Sequence, residues 1–229
     1  MIIESFVAGP WQTNCYVVAP SSGSECLILD PGQDALGPIK EKIEKHNLKP
    51  IAVLLTHGHL DHMWSVFPVA SGYEIPALIH RADRHLLSDP GAGLSDQTKA
   101  ILPELVGHDY KFVEPDEIIE IQDEIKLNLA GFDIKISSTP GHTQGSVIYS
   151  INSNTEIVFS GDTLFAGAIG RVDLPGGSAS AMNATLRDII CKLPEETLVY
   201  PGHGPMTRME VELRTNEYLR RVQQGLPAV

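Results

Sequence analysis

The 229-residue chain has only three cysteines, Cys15, Cys26 and Cys191, and no CxxC spacing among them. That excludes a disulfide framework and a zinc–thiolate site, and it fits small packed thiols in a reducing compartment. Positive charge is scarce as well: 17 Lys and Arg stand against 29 Asp and Glu, a formal net charge of −12. Nucleic-acid binders carry a basic face to neutralise phosphates, so RNA and DNA are not expected partners. No apolar run reaches membrane-spanning length, and the opening "MIIESFVAGPWQ" lacks the basic-then-apolar pattern of an export signal. A cytoplasmic location without a membrane partner is expected. No Pro/Ser linker and no short-period repeat interrupts the chain, so residues 1–229 are read as one domain. Apolar residues make up 42%, enough for an ordinary globular core.

What is present alternates between strand and helix patterns. "CYVVA" (15–19) and "ECLILD" (25–30) read as paired strands. Asp34 is placed to cap a helix running to about His46, with Pro38 in its first turn. "IAVLLT" (51–56) is a continuous apolar run, as expected of a strand covered on both faces. A helix is expected from Met63 and a strand at 76–80, and only short helices over the loop-like 88–110. Strands follow at 118–121, 125–129, 132–137, 146–151 and 156–160. "SASAMNATLRDIICKL" (178–193) puts Met182, Leu186, Ile189, Ile190 and Leu193 on one helical face. After the strand "TLVYP", Thr207 and Glu210 make a capping-box pattern for one last helix, about 207–221. Strands followed by helices in each half predict a layered α/β fold with helices outside two sheets.

"THGHLDH" (56–62) puts three histidines and an aspartate into seven positions directly after a buried strand. Imidazole nitrogens and carboxylate oxygens are ligands for zinc and similar ions. His57 and His59, two apart on an extended segment, point the same way and can share one ion. Asp61 and His62, where the chain enters a helix, point toward a second, and Gly58 leaves room for backbone to pass near the metals. Four groups are too few for two ions, and further candidates stand at strand ends: His142 in "STPGHTQGS", Asp162 in "VFSGDTLF" and His203 in "LVYPGHGP".

The set HxHxDH…H…D…H resembles the metallo-β-lactamase-fold hydrolases, and "PGHTQGS" and "GDTLF" resemble the wording of the glyoxalase II-like (hydroxyacylglutathione hydrolase-like) branch, of which the chain as a whole looks like the short bacterial type. The resemblance runs from "TNCYVV" to "TNEYL". It implies a four-layer αβ/βα sandwich with two divalent cations at one edge, zinc foremost and iron or manganese admissible. It implies that His57, His59 and His142 hold the first ion, Asp61, His62 and His203 the second, and that Asp162 bridges them. The implied activity is hydrolysis of a small thioester such as S-lactoylglutathione by a metal-bridged hydroxide, with Asp61 orienting the nucleophile and taking its proton.

Arg171 falls where glyoxalase II enzymes carry a basic residue for the glutathione part, and Arg suits a carboxylate. Its other reading is a pair with Asp173 that fixes the loop. Asp173 and Pro205 stand where such enzymes have aromatics, which turns attention to other small thiols as well. The persulfide dioxygenases resemble the chain in "GRVD" and imply the alternative of a single iron on His57, His142 and Asp162. A β-lactamase proper is not expected, since Asp162 replaces the cysteine or serine often seen there. His46, His80, His85 and His108 are read as surface or local hydrogen-bonding groups, and Trp11 and Trp64 as packing residues. The partner expected is a small thioester, for a monomer or dimer.

Overall fold

The computed structural model describes residues 1–106, 111–153 and 155–229. His108 therefore lies outside the described residues. The first half runs β1 (Ile2–Ala8), β2 (Thr13–Ala19), β3 (Glu25–Leu29), α1 (Leu36–His46), β4 (Lys49–Leu54), α2 (Leu60–Met63), α3 (Val66–Tyr73), β5 (Ala77–His80), α4 (Asp96–Val106) and β6 (Ile118–Ile121). The second half runs β7 (Ile125–Leu129), β8 (Phe132–Ser138), β9 (Val147–Ile151), β10 (Ile157–Gly161), β11 (Leu164–Phe165), β12 (Ala168–Ile169), α5 (Ala179–Asp188), β13 (Leu198–Pro201), β14 (Thr207–Arg208), α6 (Met209–Thr215) and α7 (Glu217–Gln223).

Two six-stranded sheets result, in the orders β1-β2-β3-β4-β5-β6 and β14-β13-β10-β9-β8-β7. The inner strands β2, β3, β9 and β10 have period-two side chains with both faces buried. In β3, Cys26 and Ile28 face the outer helices while Leu27 and Leu29 face the other sheet. In β9, Tyr149 and Ile151 point between the sheets and Ile148 points out against α5. Three apolar layers follow: one under α1 and α3, one between the sheets, and one under α5 and α7. This is the four-layer metallo-β-lactamase fold. Tyr16, Phe159 and Tyr200 interlock in the middle layer with ring centroids 5.1–5.8 Å apart.

Several local expectations differ. Asp34 does not cap α1: it sits at φ +60°, and α1 begins after Ala35, whose N–H reaches Ser65 Oγ at 3.3 Å. No side chain caps α1. The segment after Leu87 holds an eleven-residue helix, α4, where only short helices were expected, because Leu102 packs on the outer layer. α5 stops at Asp188, and Ile190 enters the core from a separate 3₁₀ turn. The last helix is two. Thr207 belongs to β14, which pairs with β13, and its hydroxyl donates to Glu212 Oε1 at 2.6 Å instead of capping. Asn216 breaks the helix and starts α7, its Oδ1 accepting from the N–H groups of Tyr218 and Leu219. Glu114 is forked onto Arg84.

Candidate metal centre

Strand ends build the site. β3 and β4 are parallel, so Asp30 and Thr56 emerge side by side. β10 and β13 are parallel too, which brings Asp162 next to the Gly202–His203 turn. The sheets are joined at this edge by Val147 N–H donating to Thr56 O at 2.8 Å and by the Thr13–His203 bridge. The loop after β4, the β8–β9 loop and the ends of β10 and β13 thus open into one cleft.

All seven candidate ligands meet there. The ligand atoms of His57, His59 and His142 lie within 4.8 Å of one another, as do those of Asp61, His62 and His203, and of His57, His62 and Asp162. Asp162 stands between the trios: Oδ1 is 3.3 Å from His62 Nε2, and Oδ2 is 3.5 Å from both His142 Nε2 and His203 Nε2. Two buried atoms at the centre, His57 Nε2 and Asp162 Oδ1, have no hydrogen-bond partner, and His59 turns its Nδ1 inward, 2.8 Å from His142 Nε2. Buried polar atoms are nearly always paired, so orphans in a cluster of nitrogen and carboxylate donors fit a cation.

The outer partners fix the rings. His62 Nδ1 faces Asp30 Oδ2 at 3.0 Å, His142 Nδ1 faces the Arg171 carbonyl at 2.8 Å, and His203 Nδ1 faces the Gln12 carbonyl at 3.2 Å. Each contact leaves Nε2 turned toward the centre, the arrangement by which outer groups orient metal-binding histidines. Thr13 Oγ1 donates to Asp61 Oδ2 at 2.8 Å. Asp30 and Thr13 were not singled out from the sequence. Their signal was positional: "ILD" ends the strand beside β4, and "TNC" opens the strand that bridges to His203.

Burial is the largest influence on His57 and pushes it well below the usual imidazole range, and burial followed by His142 pushes His59 down to about 3. Both rings are neutral, the form that binds a cation. Burial also works against charge on His62, but Asp61, Asp162 and Asp30 outweigh it and raise His62 well above its usual value. Burial is likewise outweighed at His203, which hydrogen bonds to Asp162 and Asp61 lift to about 10. These protons balance the carboxylates; a divalent ion would supply the same charge and displace them.

Two expectations need correction or detail. Gly58 does not make room for metals: a Cβ there would lie 2.8 Å from Leu86 Cδ1 and 3.0 Å from the Asp83 carbonyl, so the glycine serves the loop's packing on its far side. Arg171 does line the cleft, but its Nε and Nη2 donate to the two carboxylate oxygens of Asp173, both at 2.7 Å. Trp11 lines the cleft, with its ring 6.0 Å from that of Trp64. Of the other histidines, His46 bonds Glu4, His80 Nδ1 accepts from Ala82 N–H, and His85 is exposed. Among the described residues, no helix is long and apolar enough to cross a membrane.

A sequence model of the metallo-β-lactamase superfamily matches residues 8–203. The chain is 36% identical over 211 residues to the protein named "Probable metallo-hydrolase YqgX" of Bacillus subtilis, covering 92% of this chain and 94% of that one. It is 31% identical over 221 residues to hydroxyacylglutathione hydrolase GloC of Haemophilus influenzae, covering 96% and 98%. The crystal structure of the B3 metallo-β-lactamase BLEG-1 is similar at a TM-score of 0.81 and 35% identity, covering 95% and 99%. The chain belongs to the metallo-β-lactamase superfamily and is one of its metallo-hydrolases.

Proposed function

We propose that the protein hydrolyses a small thioester, of which S-lactoylglutathione is the first to test, with two divalent cations, zinc foremost. The observation that carries this reading is the pair of separate three-ligand groups with Asp162 between them. The intact trio of Asp61, His62 and His203 favours two cations over the single iron of a dioxygenase. The relative named as a hydroxyacylglutathione hydrolase aligns over nearly the full chain.

His57, His59 and His142 would hold one cation, Asp61, His62 and His203 the other, with Asp162 shared. Bound there, the ions would make water a nucleophile near neutral pH and polarise the carbonyl under attack. The chain's own groups do the rest. Asp61, oriented by the Thr13 hydroxyl and lining the cleft, positions the attacking water and accepts its proton. The cleft is small, ≈ 210 Å³, and Trp11, Leu94 and Leu174 give it apolar walls beside the Ser95 and Thr98 hydroxyls. It fits the acyl end of a thioester, leaving the thiol carrier at the mouth beside Arg171. The proposal includes a cytoplasmic enzyme, monomeric or dimeric, without nucleic-acid or membrane partners.

The test is anaerobic hydrolysis of S-D-lactoylglutathione by metal-loaded protein. O₂-independent turnover is expected. Asp61→Ala should lower kcat by about 10²- to 10⁴-fold, and His59→Ala should cut both activity and bound metal. No turnover of any thioester by protein holding two metals, or undiminished turnover in Asp61→Ala, would overturn the reading.

A further inference from the structure

Asp83 belongs to no ligand group, yet its carboxylate is buried, 2% exposed, in the 3₁₀ turn Arg81–Leu87 after β5. Its Oδ2 accepts from Gly58 N–H at 2.9 Å and from Thr143 Oγ1 at 2.6 Å, and its Oδ1 accepts from Gly145 N–H at 2.7 Å. Gly58 lies between His57 and His59, while Thr143 and Gly145 follow His142. A single side chain from a third element therefore ties together the two loops that carry the whole first trio. Those loops come from different sheets, one from the end of β4 and one from between β8 and β9.

The fit is close. A Cβ on Gly145 would stand 2.6 Å from Asp83 Cγ, so only glycine lets that loop approach. Thr143 is fixed a second time, its N–H and hydroxyl both meeting Ser146 Oγ, at 3.1 and 2.8 Å. The carboxylate offers two oxygens for three donors facing different segments, which a hydroxyl or amide side chain cannot match. Burying a charge is costly unless donors compensate it, so retaining one here calls for a task beyond filling space.

We infer that Asp83 is a positioning residue for the first metal trio: it sets the distance between the His57–His59 loop and His142 through the Gly58 and Gly145 N–H groups and the Thr143 hydroxyl. Metal–nitrogen bonds tolerate only about 0.2 Å of misplacement. Releasing the strap lets His142 drift from His59, whose Nδ1 now lies 2.8 Å from His142 Nε2. The inference rests on the metal reading of the cluster, and zinc binding tests both.

Zinc affinities of wild type, Asp83→Asn and Thr143→Val are measured by competition with a chromophoric chelator. They are repeated in an Asp61→Ala background, where the second trio lacks a ligand and the first is read directly. Cobalt(II) spectra follow the geometry of the first site. Asp83→Asn should weaken zinc at the first trio about 10- to 100-fold, the range for groups that orient metal ligands, and alter its cobalt spectrum. Thr143→Val, which removes one of the three donors, should give a smaller loss in the same direction and decides the matter should Asp83→Asn fail to fold. A lower melting temperature of the metal-free protein with unchanged zinc affinity would make Asp83 a plain stabiliser and overturn the inference. Wild-type protein that binds no zinc would refute the metal reading itself, and this inference with it.

Discussion

Gly202 immediately precedes His203 and offers the sharpest single perturbation of the centre. A Cβ there would fall on Asp162 Oδ1 and lie 2.6 Å from His62 Cε1, where ordinary contact begins at 3.4 Å. Neither neighbour has space to yield, since His62 is fully buried and tied to Asp30. The backbone of Gly202 is pinned from both sides: its N–H donates to Gly161 O at 2.8 Å, and its carbonyl accepts from Asn14 N–H at 2.7 Å. Gly202→Ala must therefore push Asp162 or His62 out of place. Overpacking of this kind costs about 1–3 kcal/mol, and the displacement far exceeds the tolerance of a metal–ligand bond. The assay is metal content after dialysis against graded chelator, paired with thermal melts of loaded and metal-free protein. Loss of at least one ion at chelator levels that leave wild type loaded is expected. Gly72→Ala is the control: this glycine sits inside α3 with nothing within 4 Å of its would-be Cβ. Removing unfolded-state freedom there should stabilise by about 0.4–1 kcal/mol. Wild-type metal retention in Gly202→Ala would refute the reasoning.

Two further outcomes follow from groups outside the centre. Glu4 is held down to about 2, first by the hydrogen bond from Lys45 and then by that from His46. A depressed carboxylate contributes stability above its unfolded value near 4.5 and loses it as pH falls toward 2. With its lysine partner mostly exposed, the contribution is about 1 kcal/mol, so the denaturation gap between wild type and Glu4→Gln should close from pH 5 to roughly pH 2. A pH-independent gap would count against the pairing. Asn216 caps α7 and also donates to Glu212 Oε2 at 2.8 Å and the Ala168 carbonyl at 3.2 Å. Asn216→Ala should destabilise by about 1–3 kcal/mol in urea denaturation, and a change below about 0.5 kcal/mol, the level of an ordinary surface substitution, would show that the break between α6 and α7 has other supports.

The meeting of these seven side chains was legible because metal chemistry admits few residue types and these stand at strand ends in short, dense motifs. The layered fold was legible because β3, β4, β9 and β10 are apolar on both faces, and only a sheet covered twice explains that. What escaped notice depended on contacts far apart in sequence. Asp83 reaches 25 residues back to Gly58 and 62 forward to Gly145, and nothing local distinguishes it from a turn residue. Ser65 meets the Ala35 N–H before α1 from 30 positions away, and Asp34 caps nothing. The false capping box arose because Thr207 and Glu210 have the right spacing, but strand pairing with β13 claimed the threonine's backbone first. Arg171 had two readings at the level of sequence, and its fork is engaged by Asp173.

Each trio draws two ligands from the chain's first half and one from its second: His57 and His59 with His142, Asp61 and His62 with His203. A bound ion is therefore a cross-link between the two sheets, and only the assembled sandwich offers it all three donors. By mass action, ions at a hundred times their dissociation constant would add about 2.7 kcal/mol per site to the folded state. Under the two-cation reading, metal supply in the cell would double as a control on how much of this protein stays folded. Starvation for the ion would be felt as lost protein as well as lost turnover.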